Sequence, residues 1–251
     1  MEKWRFKPAM LDGIPVEQSN TVRINFTLTP PVKGARASFV KSFRFVNKAL
    51  DKGDINKARA ITAKLEALNL YEDAWLWALK SRIAEFDKDS ETQLQSLLYA
   101  TSDMTYLPEQ MQAAALQRIF NLELLRGHYA AALEVEKKAA TLKNGAAIAK
   151  AFAPGVSQIL ELKNSPDALA RDGRIADSAA FPWEHKLLRN VFGIDEVNGT
   201  INTVELRCEA QARRLEWAAD RNWKIPAAWG ACAVYVEGAP GTQFRLVEYA
   251  T

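Results

Sequence analysis

Very few side chains in this sequence could do chemistry: 251 residues hold two histidines and two cysteines. His185 stands in Trp183-Glu184-His185-Lys186, with Asp177 nearby in the chain, so an acid–base pair is the chemistry it could offer. No nucleophile lies at a matching spacing. His128 follows Gly127 at a break between helical stretches, a position that faces solvent. Asp87, Asp89 and Glu91 alternate as cation ligands can, but the glycine and distal glutamate of a calcium loop are missing. Acids at the start of a helix, where they oppose its dipole, account for them better. There is no nucleophile elbow, no HExxH, no phosphate-binding loop and no dinucleotide motif. The expectation is a binding protein rather than an enzyme, with no cofactor and no metal. An enzymatic site would have to sit among Trp217, Trp223 and Trp229 near the C-terminus.

Cys208 and Cys232 lie 24 positions apart, which excludes CxxC redox and zinc patterns. Three readings remain: a disulfide, two buried free thiols, or one reactive thiol. Both cysteines fall on the apolar faces of strand-like segments, so the disulfide is the preferred expectation. It implies an oxidising compartment such as the periplasm. Met1 is followed by a polar and aromatic stretch with no apolar leader, so the native start is expected upstream of Met1.

These residues must be carried by ordinary globular elements. Hydrophobic residues make up 48% and charged residues 25%, which excludes a disordered or fibrous chain. A net charge of +3 without a basic cluster argues against nucleic acid, and no apolar run is long enough to span a membrane. Residues 1–30 read as a β-hairpin turning at Asp12-Gly13, its second strand alternating Val22, Ile24, Phe26 and Leu28 with polar residues. Residues 35–145 read as helical, with helices near 35–52, 54–69, 72–87, 90–102, 108–126 and 128–143. Residues 146–193 form a transition in which Trp183 to Phe192 fits a helix or a strand equally. Residues 194–251 read as a small β-rich domain, its strands separated by turns at Asn198-Gly199, Asp220 to Asn222 and Ala239 to Gly241.

A repeat runs through the helices. Gly53, Ile55, Ala58 and Leu65 align with Gly127, Tyr129, Ala132 and Ala139, an offset of 74 residues or two units of 37. Glycine permits the tight turn, the bulky residue fills the helix crossing, and alanine lets the helices approach. The unit between them lacks the glycine and the alanine. The pattern resembles tetratricopeptide repeats, whose period is about 34 residues. The fold class is therefore expected to be α+β: an N-terminal hairpin, an α-α superhelix of about three such helical hairpins, and a C-terminal β-rich domain. Stacked helix pairs line a groove with the first helix of each pair. Equal spacing places Phe43 and Asn47, Lys80 and Ala84, and Gln117 and Asn121 on that groove, where side-chain amides could clamp a peptide backbone.

The N-terminal stretch carries a second likeness. Trp4, Phe6, Pro8 and Ala9, then Asp12, Gly13, Pro15 and Val16, then Val22, Ile24, Phe26 and Leu28 resemble the end of a TonB C-terminal domain. The match covers about 27 residues, without the first strand and helix of that domain. With the helical repeats, it resembles bacterial proteins that are TonB-like with tetratricopeptide repeats. The resemblance implies an envelope protein, an energy transducer or an accessory of outer-membrane uptake. Its implied partners are a TonB-dependent receptor and motor subunits of the ExbB and ExbD type. The edge strand at Val22, Ile24 and Phe26 would pair with an extended receptor segment. A hairpin lacking its upstream strand also invites a homodimer. The alternative is a general periplasmic scaffold for envelope assembly with no transport role.

Overall fold

The computed structural model describes residues 9–11, 14–16, 34–102, 106–177, 182–219 and 221–250, the first two stretches as backbone only. The described residues form a mixed α+β structure with seven α-helices and two four-stranded antiparallel sheets. They divide into two compact units, one helical and one built on the sheets.

In the helical unit α1 is Ala37–Asp51, α2 Ile55–Thr62, α3 Leu70–Phe86, α4 Ser90–Ala100, α5 Glu109–Leu125 and α6 Tyr129–Ala140. They fall on the six spans read as helical, except that α2 stops at Thr62 rather than near 69. The cause is local: Asn69 caps α3 by accepting from the Glu72 amide at 2.8 Å, and Leu68 N donates to the Glu72 carboxylate at 3.0 Å. Those bonds hold the chain before α3 in a non-helical path. Three-residue turns join the pairs α1–α2, α3–α4 and α5–α6, and the middle residue of each is left-handed: Gly53 (φ 72°), Lys88 (φ 56°) and Gly127 (φ 70°). Five positions after each turn centre the chain is buried, at Ala58, Gln93 and Ala132. The unit between the two glycine turns thus repeats their geometry with neither expected residue. Val46, Ala49 and Leu50 pack with Ala58 and Leu79, and Phe120 stacks on Phe152 with centroids 4.4 Å apart.

Glu72 is fully buried at the start of α3. It accepts from Arg36 N at 2.8 Å, Arg36 Nε at 2.9 Å and Arg36 Nη2 at 2.7 Å. The hydrogen bonds from Arg36 hold its carboxyl down at about 2, against a burial penalty that acts the other way.

α7 runs over Gly145–Asn164 with Pro154 inside it. The strands that follow are β3 (Leu169–Arg174), β4 (Trp183–Lys186), β5 (Val191–Asn198), β6 (Ile201–Cys208), β7 (Ala212–Leu215), β8 (Asn222–Lys224), β9 (Cys232–Gly238) and β10 (Gln243–Tyr249). One sheet is ordered β3-β10-β5-β8 and the other β4-β9-β6-β7. Their inner faces share one core, Phe192, Ile194, Phe244 and Leu246 from the first sheet against Val204, Leu206, Val234 and Val236 from the second. Alternate residues point inward, as period 2 requires. Trp217, Trp223 and Trp229 pack around that core. The span 146–193 holds most of α7, all of β3 and β4, and the start of β5, so both sheets begin before residue 194. Trp183 to Phe192 is two strand segments, not a helix. β3 and β4 lie at sheet edges and bury few side chains, which leaves them little apolar pattern. β1 (Ala9–Leu11) pairs antiparallel with β2 (Ile14–Val16), with Leu11 opposite Ile14 on either side of Asp12-Gly13. Val22, Ile24 and Phe26 lie outside the described residues.

Arg189, 3% exposed, binds four backbone carbonyls. It donates to Asp167 O at 2.7 Å, Ser165 O at 2.9 Å, Glu248 O at 3.2 Å, and Leu162 O. The end of α7 is thereby tied to β10 and to the entry of β3.

Candidate functional site

A concavity of the helical unit lies along α1, α3, α4 and α5. It encloses about 280 Å³ over an apolar floor that includes Leu79, Leu97, Leu107, Met111 and Ala115. Phe43, Asn47, Arg82, Glu85, Gln93 and Arg118 also line it. Two arginines cross between neighbouring helices there. Arg82 of α3 donates to Asn47 Oδ1 and, at 3.0 Å, to Asp51 Oδ1, both on α1. Arg118 of α5 meets Glu85 of α3 at 2.9 Å and Gln93 of α4 at 3.2 Å. Gln93 holds the slot that alanine fills in the flanking units, and its longer side chain reaches the arginine.

A second hollow, of about 290 Å³, is lined by Ala35, Phe39, Val40, Phe43 and Arg44 of the α1 region and by Tyr71 and Trp75 of α3. Phe43 belongs to both hollows. It meets Trp75 edge-on at 5.1 Å, and Trp75 Nε1 donates to Tyr106 O at 3.0 Å, which fixes the indole. The two hollows follow one another along α1 and α3, the aromatic one first.

The structure brings Phe43 and Asn47 to this groove. Asn47 is engaged within the protein, its Nδ2 donating to Phe43 O at 3.0 Å while its Oδ1 accepts from Arg82. Lys80 lies on another face of α3, its Nζ 3.6 Å from the centre of the Trp77 ring, and Gln117 and Asn121 are exposed outside the groove lining. The turn centres explain Lys80. Lys88 lies 35 residues after Gly53 and 39 before Gly127, so equal steps of 37 overshoot by two residues, and two residues rotate a helix by about 200°. Stepping by 35 from Phe43 and Asn47 reaches Ala78 and Arg82, which do line the groove. On α5 the lining is the face turned to α3, at Met111, Ala115 and Arg118. Arg82, Glu85, Gln93 and Arg118 were not singled out from the sequence; the missing turn signal at Lys88 accounts for Arg82 on α3, but not for Arg118 on α5, whose register is set by Gly53 and Gly127.

His185 is buried and pairs not with Asp177 but with Glu248, 63 residues on, at 3.1 Å. Glu248 also accepts from the Leu188 and Arg189 amides at 2.7 Å each. These bonds fix the link between β4 and β5. Asp87 pairs with Arg59, Asp89 caps α4 by accepting from Thr92 N at 3.0 Å, and Glu91 faces Arg126 at 3.6 Å. Bonds from the Thr92 hydroxyl and amide lower the Asp89 carboxyl from its usual range. Among the described residues no group of three or more histidine, cysteine or acidic side chains is placed to hold a metal ion. No described helix is long and apolar enough to cross a membrane.

Cys208 and Cys232 form a disulfide across β6 and β9, where they stand directly opposite with Cα atoms 4.0 Å apart. Comparison of the chain with protein-family models, with curated proteins and with solved structures finds no match.

Proposed function

We propose that the protein is a non-enzymatic interaction module of the bacterial periplasm, and that it works by holding an extended segment of a partner protein along α1, α3 and α5. The observation that carries this reading is the groove: an apolar floor rimmed by guanidinium groups that are already oriented by neighbouring helices. A pocket of that kind needs little reordering when a chain enters it. The three left-handed turns at Gly53, Lys88 and Gly127 support reading the helices as three tetratricopeptide-like units. The disulfide accords with an oxidising compartment.

Within that reading the protein is a TonB-like transducer or accessory of outer-membrane transport. Its N-terminal edge at Val22, Ile24 and Phe26 would engage a TonB-dependent receptor, and its further partners would be motor subunits of the ExbB and ExbD type. A second reading, a periplasmic scaffold without a transport role, is favoured by the position of the groove, whose described lining lies on the helices.

Photo-crosslinking on the full chain tests both. A crosslinking amino acid is placed at Asn47, inside the groove, and in a second variant at Lys80, on another face of α3. Each variant is exposed to its own envelope extract and the products are sequenced. Receptor or motor subunits captured at position 47 and not at 80 establish the transport reading. Other envelope proteins captured only at 47 establish the scaffold. Identical products at both positions defeat the groove.

A further inference from the structure

We infer that the groove selects segments that combine apolar anchors with carboxylates, an inference that rests on the peptide-holding reading above. The first part of the argument is spacing. Phe39 and Asn47, which line the aromatic and the aliphatic hollow, are eight residues apart on α1, or about 12 Å along its axis. An extended chain covers that distance in about four residues. A segment with an aromatic or aliphatic anchor at each end of such a stretch would seat one in each hollow, with Phe43 as the wall between them.

The second part is charge. The side chains lining the two hollows include three guanidinium groups, Arg44, Arg82 and Arg118, and one carboxylate, Glu85. Arg118 is matched to Glu85, and Arg82 to Asp51 on the outer side of α1. Arg44 has no ion pair or side-chain hydrogen bond among the described residues, and it stands at the wall of the aromatic hollow. A guanidinium beside an aromatic surface is weakly hydrated and offers a planar fork to a carboxylate. A lysine carried by the entering segment would meet like charge at the same place. The chemistry that completes the site is therefore an acidic side chain next to the first apolar anchor.

The test uses the full chain and three labelled peptides. They share Phe and Leu anchors four residues apart and differ only in having Glu, Gln or Lys between and beside them. Fluorescence anisotropy at low and at physiological salt should rank Glu above Gln and Gln above Lys. The Glu peptide should lead the Gln peptide by about fivefold, less at the higher salt. Arg44→Gln should abolish that lead, and Arg44→Glu should reverse it; Arg44 is exposed, so neither change disturbs the core. Equal binding of the Glu and Gln peptides overturns the acidic preference and leaves the groove reading in place. A preference that survives both Arg44 variants also overturns it. Failure of all three peptides to bind overturns the groove reading together with the preference.

Discussion

The Glu72 carboxylate carries a full negative charge out of water, and it is tolerated because Arg36 and two backbone amides meet it. Glutamine at this position keeps one neutral acceptor oxygen but sets an NH2 donor against Arg36 and the Leu68 amide where the second carboxylate oxygen stood, and it leaves the guanidinium without its counter-charge. Glu72→Gln should therefore destabilise the helical unit by about 3 kcal/mol at neutral pH. The pH dependence has a definite sign. The carboxyl titrates at about 2 in the folded chain and in the ordinary glutamate range when unfolded. Its contribution is complete above that ordinary range and is lost as pH falls toward 2. Urea unfolding of both proteins should show a gap that is constant from pH 7 to about pH 5 and narrows steadily toward pH 2. A gap of unchanged width at pH 2 would refute this account. Arg189 presents the converse case, a buried cation held by carbonyl oxygens. Arg189→Leu strands four acceptors and should cost about 3–5 kcal/mol. Arg189→Lys cannot reach all four and should recover less than half of that, as read from thermal unfolding.

At the scale of elements, the three helix-to-helix turns share one backbone shape but not one sequence. Left-handed backbone costs a side-chain-bearing residue about 1 kcal/mol relative to glycine. Lys88 bears that cost, and its side chain is exposed. Lys88→Gly should stabilise the protein by about 1 kcal/mol, while Gly53→Ala should destabilise it by a similar amount. Chemical denaturation curves that move in the same direction for both would contradict the shared turn geometry. The same turn shows what could be read from the sequence. Gly53 and Gly127 announced two turns because glycine's backbone freedom leaves a visible letter. The turn between them left none, since lysine there gives no signal. Spacing the units evenly then put Lys80 where Arg82 belongs. Helix α3 compounds the problem, because Leu70, Trp75, Leu76, Trp77, Leu79 and Ile83 spread apolar residues around its circumference and fix no single inward face. The C-terminal strands β6, β9 and β10 were legible for the opposite reason. Each places apolar residues at every second position, Val204 and Leu206, Val234 and Val236, Phe244 and Leu246, whereas β3 and β4, at the sheet edges, bury only one residue each. The partner of His185 was hidden as well, because strand order, which sequence spacing does not encode, brings Glu248 to it.

At the scale of the whole molecule, the disulfide is the one covalent constraint among the described residues beyond the chain itself. Cys208 and Cys232 are already neighbours in the ladder of β6 and β9, so the bond adds little to the folded arrangement. Its effect falls on the unfolded chain, where it closes a loop over a separation of 24 residues. In the chain-entropy model a loop of that length contributes about 3–4 kcal/mol. The enclosed stretch holds β7, β8, Trp217, Trp223 and Trp229, and it buries Ile225 against the common core. Those indoles make reduction observable. Tryptophan emission followed during denaturation should give a lower midpoint in the presence of a reductant, by an amount equivalent to about 3–4 kcal/mol. The Cys208→Ser, Cys232→Ser double variant should match the reduced protein. A reduced protein as stable as the oxidised one would mean that the unfolded chain is not restrained by the loop. The proposed compartment can be tested through the same bond, because disulfides persist where thiols are oxidised. Cells quenched in acid and treated with an alkylating reagent should therefore yield protein unmodified at both cysteines until reductant is added. Alkylation at Cys208 and Cys232 without reductant would place the working form in a reducing compartment, and the periplasmic reading would fall with it.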